Sequence, residues 1–164
     1  MKVLLPLDDP ALIDEVMDFI ITQSFPADTE FRLLHVIAFQ PDEVALTCSS
    51  EVHVFLQKQT SAAQELMISV KNLIAKHYPR ASCTISVVQG LPVETILQEA
   101  TLWQPDLLVI GSHNRKGLAH FFLGSVAQAV CKSCPCSVAL IRRKESRLKK
   151  HSSPVDLDTR PIAL

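Results

Sequence analysis

The chain has 164 residues, 48% of them hydrophobic, the size of one ordinary domain that buries a core without disulfide or metal staples. Its formal charge of −1 hides an asymmetry: residues 1–141 carry nine Lys and Arg against fourteen Asp and Glu, and residues 142–164 carry seven against three. A body this acidic lacks the basic face that neutralises phosphates, which excludes a general nucleic-acid binder and leaves only the tail to touch something anionic. Met1-Lys2 runs into VLLPL and meets Asp8-Asp9 at once, too short for a signal-peptide apolar region. No uninterrupted apolar run approaches the ~18 residues of a membrane span. The expectation is a cytoplasmic protein with no membrane partner, its five cysteines held as thiols.

In chain order, Lys2 to Leu7 is an apolar run that reads as a first strand. Pro6 fits only near its end, because proline removes a ladder donor. Asp9 as N-cap and Pro10 as first helical residue open a helix with Leu12, Ile13, Val16, Phe19 and Ile20 at helical spacing. Phe31 to Phe39 is the second strand, and Gln40 to Ser50 a polar connection. From Glu51 to His77, Val52, Leu56, Ala63, Leu66, Val70 and Leu73 predict a long helix with one apolar stripe, ended by Pro79. Cys83 to Val88 is a third strand. Gly90-Leu91-Pro92 turns into a helix carrying Val93, Ile96, Leu97 and Ala100, and Gln104-Pro105-Asp106 turns into the strand LLVIG. Ser125 to Lys132 is a short helix and Ser137 to Ile141 a fifth strand.

Strands that alternate with helices and are mostly apolar throughout imply a parallel sheet covered on both faces, a doubly wound α/β domain. Such sheets hold ligands beyond the carboxyl ends of their strands, where strand order reverses. That directs attention to Asp8-Asp9, the residues around Val36, and Gly111 onward. GSHN, Gly111 to Asn114, opens a loop after the fourth strand, and nine residues further Gly124-Ser125 stands at the mouth of a helix. A helix N-terminus offers unpaired N–H groups and partial positive charge to an anion. Gly124 permits close backbone approach, Ser125 adds a hydroxyl, and His113, Arg115, Lys116 and His120 add donors. A phosphate suits this array; the bland alternative is a turn glycine at 111 and an ordinary N-cap at Ser125.

The VLLPLD opening, LLHV in the second strand, GSHNRKG followed by LGSVAQAV, and CPCSVALI together resemble the universal stress protein family over residues 2–142. The family's nucleotide signature is Gly, two residues, Gly, nine residues, Gly, then Ser or Thr. Here it reads Gly111, Ser112-His113, Asn114, nine residues, Gly124, Ser125, with Asn114 in place of the second glycine. Asparagine is the next most tolerant residue of positive φ, so the loop survives if that is the demand; if the glycine makes room for a triphosphate, a smaller ligand such as AMP is favoured. The resemblance implies a five-stranded parallel sheet of order 3-2-1-4-5 and a homodimer through the last strand. It also implies an adenine nucleotide, ATP or AMP, with or without Mg. Asp8 and Val36 carry over to the nucleoside side with Pro6 beside them. Gly111, Ser112, His113, Asn114, Arg115, Lys116, Gly117, Gly124, Ser125 and Val126 carry over to the phosphates.

Cys131, Cys134 and Cys136 form C-x-x-C-x-C with no second ligand pair of zinc spacing, and read as structural thiols, Cys136 beginning the last strand. His35, inside an apolar strand, reads as a core histidine. No Walker lysine, nucleophile elbow or Ser/His/Asp set is present, so binding is favoured over turnover. A slow ATP-hydrolysing or phosphotransfer enzyme and a stress interaction module without nucleotide are the alternatives. Residues 1–143 are expected to form the domain and the basic residues 144–164 a flexible tail.

Overall fold

The structure, a computed structural model, describes residues 1–38, 50–112 and 124–142. Among the described residues five strands alternate with four helices: β1 (Lys2–Pro6), α1 (Pro10–Thr22), β2 (Glu30–Ala38), α2 (Ser50–His77), β3 (Ser82–Gly90), α3 (Pro92–Trp103), β4 (Leu107–Ser112), α4 (Ser125–Ser133) and β5 (Ser137–Arg142). The strands form one parallel sheet of order β3-β2-β1-β4-β5, the expected order. None of the described helices is long and apolar enough to cross a membrane. The tail from residue 143 lies outside the described residues, as does the 40–49 connection.

Strand alternation sorts the core into two layers. Val3, Leu5, Phe31, Leu33 and Val109 face α1 and α2, meeting Ile13, Val16, Ile20, Met67, Val70 and Ile74. Leu4, Leu34, Leu108 and Ile110 face the other way, against Ile96 and Ala100 of α3 and Ala127 and Val130 of α4. Leu4, Leu5, Leu33 and Leu108 are fully buried; each such side chain contributes about 1.5–3 kcal/mol relative to exposure. β1 is covered on both faces, which is why VLL shows no alternation.

Several local expectations are corrected. The buried row of α2 is Ala63, Met67, Val70 and Ile74, while Leu73 is 42% exposed: the helix turns its 67/74 row to the sheet rather than the adjacent 66/73 row. Ser112 belongs to β4, since it pairs with Arg142 of β5 as Gly111 does with Ile141, so the strand runs one residue beyond LLVIG. Cys136 precedes β5, which starts at Ser137, and β3 continues to Gly90. The α1 start is as expected: Asp9 has extended backbone (φ −111°, ψ 115°) and its carboxylate accepts the Ala11 N–H at 2.8 Å.

At the amino end of the sheet, Arg32 pairs with Glu99 and its guanidinium lies 4.3 Å from the Trp103 ring centroid. The Lys2 backbone N–H donates to Asp106 at 2.7 Å. These contacts tie β2 and β1 to the far end of α3, leaving the opposite end of the sheet for other work. Tyr78 closes the α1 side, its hydroxyl donating to the Ile20 carbonyl at 2.8 Å over an aromatic group with Phe25 and Phe31.

Candidate functional site

At the carboxyl ends of the strands the sheet opens between β1 and β4. These neighbours pair only at Val3–Leu107 and Leu4–Leu108. Beyond that, β1 continues with β2 as far as Pro6–Leu34, and β4 with β5 as far as Ser112–Arg142. Pro6 supplies a physical reason. Lys2 presents its carbonyl to β4, accepting the Asp106 N–H at 2.9 Å, so by the period of two Leu4 and Pro6 also turn their backbone groups toward β4. Proline has no N–H to give there. Leu7 faces the other side and still donates to Leu34 at 2.9 Å. A crevice between β1 and β4 is the switch point of this strand order, where parallel sheets hold ligands.

The residues at its rim come from four elements. Of the two aspartates, Asp9 caps α1, while Asp8, two residues past β1, is exposed and is not the cap. Val36 lies on the continuation of β2 past the last bond from β1. Glu30 donates to Met1 on the β1 side, so the even-numbered residues of β2, Val36 among them, turn their N–H and C=O toward β1. His35 is half-buried, with Nδ1 at 2.7 Å from the Leu7 carbonyl. A carbonyl only accepts, so Nδ1 carries a proton, and the histidine pins the β1 exit rather than entering the crevice as a catalyst. Pro6 and Ser112 are buried, and alternation puts Pro6, Val36 and Ser112 on the sheet face shared with α4.

Gly111 points the other way, toward α1. A Cβ there would stand 2.8 Å from Leu12 Cδ1, so the missing side chain lets the first turn of α1 close onto β4. That role was absent from the sequence reading, where Gly111 was a turn or cradle glycine; an apolar Leu two residues into the helix after the first strand was its only signal.

Gly124, not Ser125, is the N-cap of α4. It has extended backbone (φ −56°, ψ 147°) and the helix start has no side-chain capping bond; Gln128 donates to the Gly124 carbonyl at 2.9 Å. Ser125 is therefore the first helical residue, its side chain exposed, and Val126 packs partly into the α3/α4 core layer. The first amides of α4 therefore receive no bond from the side chain of their own N-cap. α3 also begins without a capping side chain, but Pro92 in its first turn removes one donor, and it follows the edge strand β3. His113, Asn114, Arg115, Lys116 and Gly117 lie outside the described residues. Among the described residues no group of three or more His, Cys, Asp or Glu is placed to hold a metal ion.

These positions offer an exposed carboxylate, a strand edge and a helix start without a side-chain cap, a set that suits a ligand with an anionic end and a hydrogen-bonding end. Known proteins agree with this architecture. The universal stress protein family profile matches residues 1–142. Universal stress protein Sll1388 of Synechocystis is 27% identical over 151 residues, covering 86% of this chain and 97% of that one. The solved structure of hypothetical protein MJ0577, from Methanocaldococcus jannaschii, superposes with a TM-score of 0.75 at 26% identity, covering 88% and 97% of the two chains. A universal stress protein family member from Arabidopsis thaliana with AMP bound shares the fold, with a TM-score of 0.59 at 19% identity, 88% of this chain and 92% of that one being covered. With the profile spanning all five strands and the switch-point crevice, this chain belongs to the universal stress protein family.

Proposed function

We propose that the chain binds an adenine nucleotide, AMP or ATP, in the β1/β4 crevice. The phosphates sit at the first amides of α4, around Gly124, Ser125 and Val126, and along Gly111 to Gly117. Asp8 accepts hydrogen bonds from the ribose hydroxyls or the base, and the Val36 backbone meets the adenine. The observation that carries the reading is the start of α4, a glycine N-cap with no side-chain bond, on a helix whose Ala127 and Val130 pack with Leu108 and Ile110 of β4, the strand whose ladder with β1 ends early. An anion there meets N–H donors and the positive end of the helix at little desolvation cost. The AMP-bound relative supports the choice of ligand. Asn114, where the family signature has glycine, favours the smaller nucleotide.

We further propose that the chain pairs with a second copy through β5, the edge strand next to the crevice.

Thermal melting of the full chain with and without AMP, ADP and ATP tests the binding. Ligand at about 100 times its dissociation constant adds ~2.7 kcal/mol, several degrees in midpoint for a domain of this size. A rise with at least one adenine nucleotide, and none with inorganic phosphate at the same ionic strength, supports the site. No rise with any of them at millimolar concentration overturns it and leaves the interaction-module reading.

A further inference from the structure

Cys134 and Cys136 flank Pro135 in the turn between α4 and β5, and their sulfurs lie 3.4 Å apart. Both are half-buried against the α3/α4 core layer. Neither belongs to the crevice, because β5 starts at Ser137 beside Leu107, at the amino end of the sheet. Two sulfurs are too few for a structural zinc site, which takes four ligands, and no group of three potential ligands forms among the described residues. Fixing the two thiols in contact, one residue apart, makes the second an intramolecular nucleophile toward anything bonded to the first.

We propose that Cys134 and Cys136 are a redox-active dithiol that closes reversibly to an intramolecular disulfide by exchange with a small disulfide of the glutathione type. The Cys134 thiolate attacks one sulfur of the small disulfide, forms a mixed disulfide and expels one small thiolate, which takes up the proton Cys134 released. Cys136 then gives up its proton and attacks the Cys134 sulfur; the Cys134–Cys136 bond forms and the second small thiol leaves. Two protein thiols lose two electrons, and one small disulfide becomes two thiols. The order follows from the surroundings of Cys136. Burial above all, then its hydrogen bond with Cys134, pushes its thiol up to about 12, so Cys136 is the slower of the two to ionise and acts second, on the sulfur held 3.4 Å away. A ring closed around a single proline is strained, which makes such a disulfide readily reduced again.

Trypsin cleavage after Lys132 and Arg142 releases residues 133–142 with Cys134 and Cys136 alone, while Cys131 leaves in the preceding peptide. The folded full chain is equilibrated across a series of reduced and oxidised glutathione, acid-quenched, alkylated, digested and weighed. The expected result is loss of the doubly alkylated 133–142 peptide and gain of an unalkylated form lighter by two hydrogens than the dithiol, reversed by reduced glutathione. Cys136→Ser is expected to stop at a glutathione adduct on the same peptide, and Cys131→Ser to convert as the parent does. Full alkylation across the whole series overturns the proposal. So does a persistent glutathione adduct in the parent chain, or a disulfide joining this peptide to that of Cys131.

Discussion

At the scale of single residues, Gly124 is where fold and ligand make opposite demands. For the helix alone, a side chain that caps α4 is an improvement, because Asp at an N-cap outdoes Gly by a few tenths of a kcal/mol. The backbone at Gly124 is extended, with φ −56°, and accepts any residue without strain. For an anion bound at the same amides, a capping carboxylate is a competitor and a repulsive charge. Gly124→Asp is therefore expected to leave the unliganded chain as stable or slightly more so, and to abolish the rise in melting midpoint given by AMP or ATP. Melting curves with and without nucleotide read both effects at once. A variant that melts higher and still responds to nucleotide would remove the phosphates from the start of α4. Pro6 stands in a similar position: a defect by the rules of a central strand, it withholds an N–H only on the side where β1 and β4 part.

Among the elements, the packing of α1 on β4 depends on an absent side chain. Leu12 is 4% exposed, and a Cβ at Gly111 would approach its Cδ1 to 2.8 Å. Leu12 has little room to turn away, so Gly111→Ala is expected to destabilise by about 1–3 kcal/mol, the usual cost of overpacking. Urea unfolding measures this, and Gly111→Ala in a Leu12→Ala background should cost less than in the parent, since the clash partner is gone. Equal costs in the two backgrounds would mean that Gly111 answers to something other than α1. The elements themselves were legible, because apolar runs and periods of three and four were enough to place five strands and four helices. Their phases and ends were less so. Leu66 and Leu73 look as good in the sequence as Met67 and Ile74, and only the position of the sheet chooses the row. β4 keeps Ser112 because β5 extends beside it to Arg142, and no local signal carries that. Of the candidate site residues, Asp8 and Gly124-Ser125 were legible as positions beside elements, and Val36 as a position within β2. Asp9 as the cap of α1 was legible too, whereas the Leu12 contact and the meeting of Cys134 with Cys136 depend on geometry.

For the whole molecule, the open question posed by a five-stranded sheet is what becomes of its edges. β5 carries Val138, Ala139, Leu140 and Ile141, all half-buried in the single chain, and among the described residues one side of its backbone faces no strand. An apolar, unprotected edge of this kind invites pairing. Leu4 turns toward β4 and is paired with Leu108, so Leu108 turns toward β5 and Leu107 toward β1. Val138, the partner of Leu108 in the β4–β5 ladder, therefore presents its N–H outward. Val138→Pro removes that outward donor while sparing the bonds to β4, a placement edge strands tolerate. The parent chain is expected to sediment as a dimer and Val138→Pro as a monomer that still melts cooperatively, its nucleotide response retained because the crevice lies on the β1 side of β4. A parent chain that sediments as a monomer at tens of micromolar, or a proline variant that stays dimeric, would remove β5 as the pairing edge.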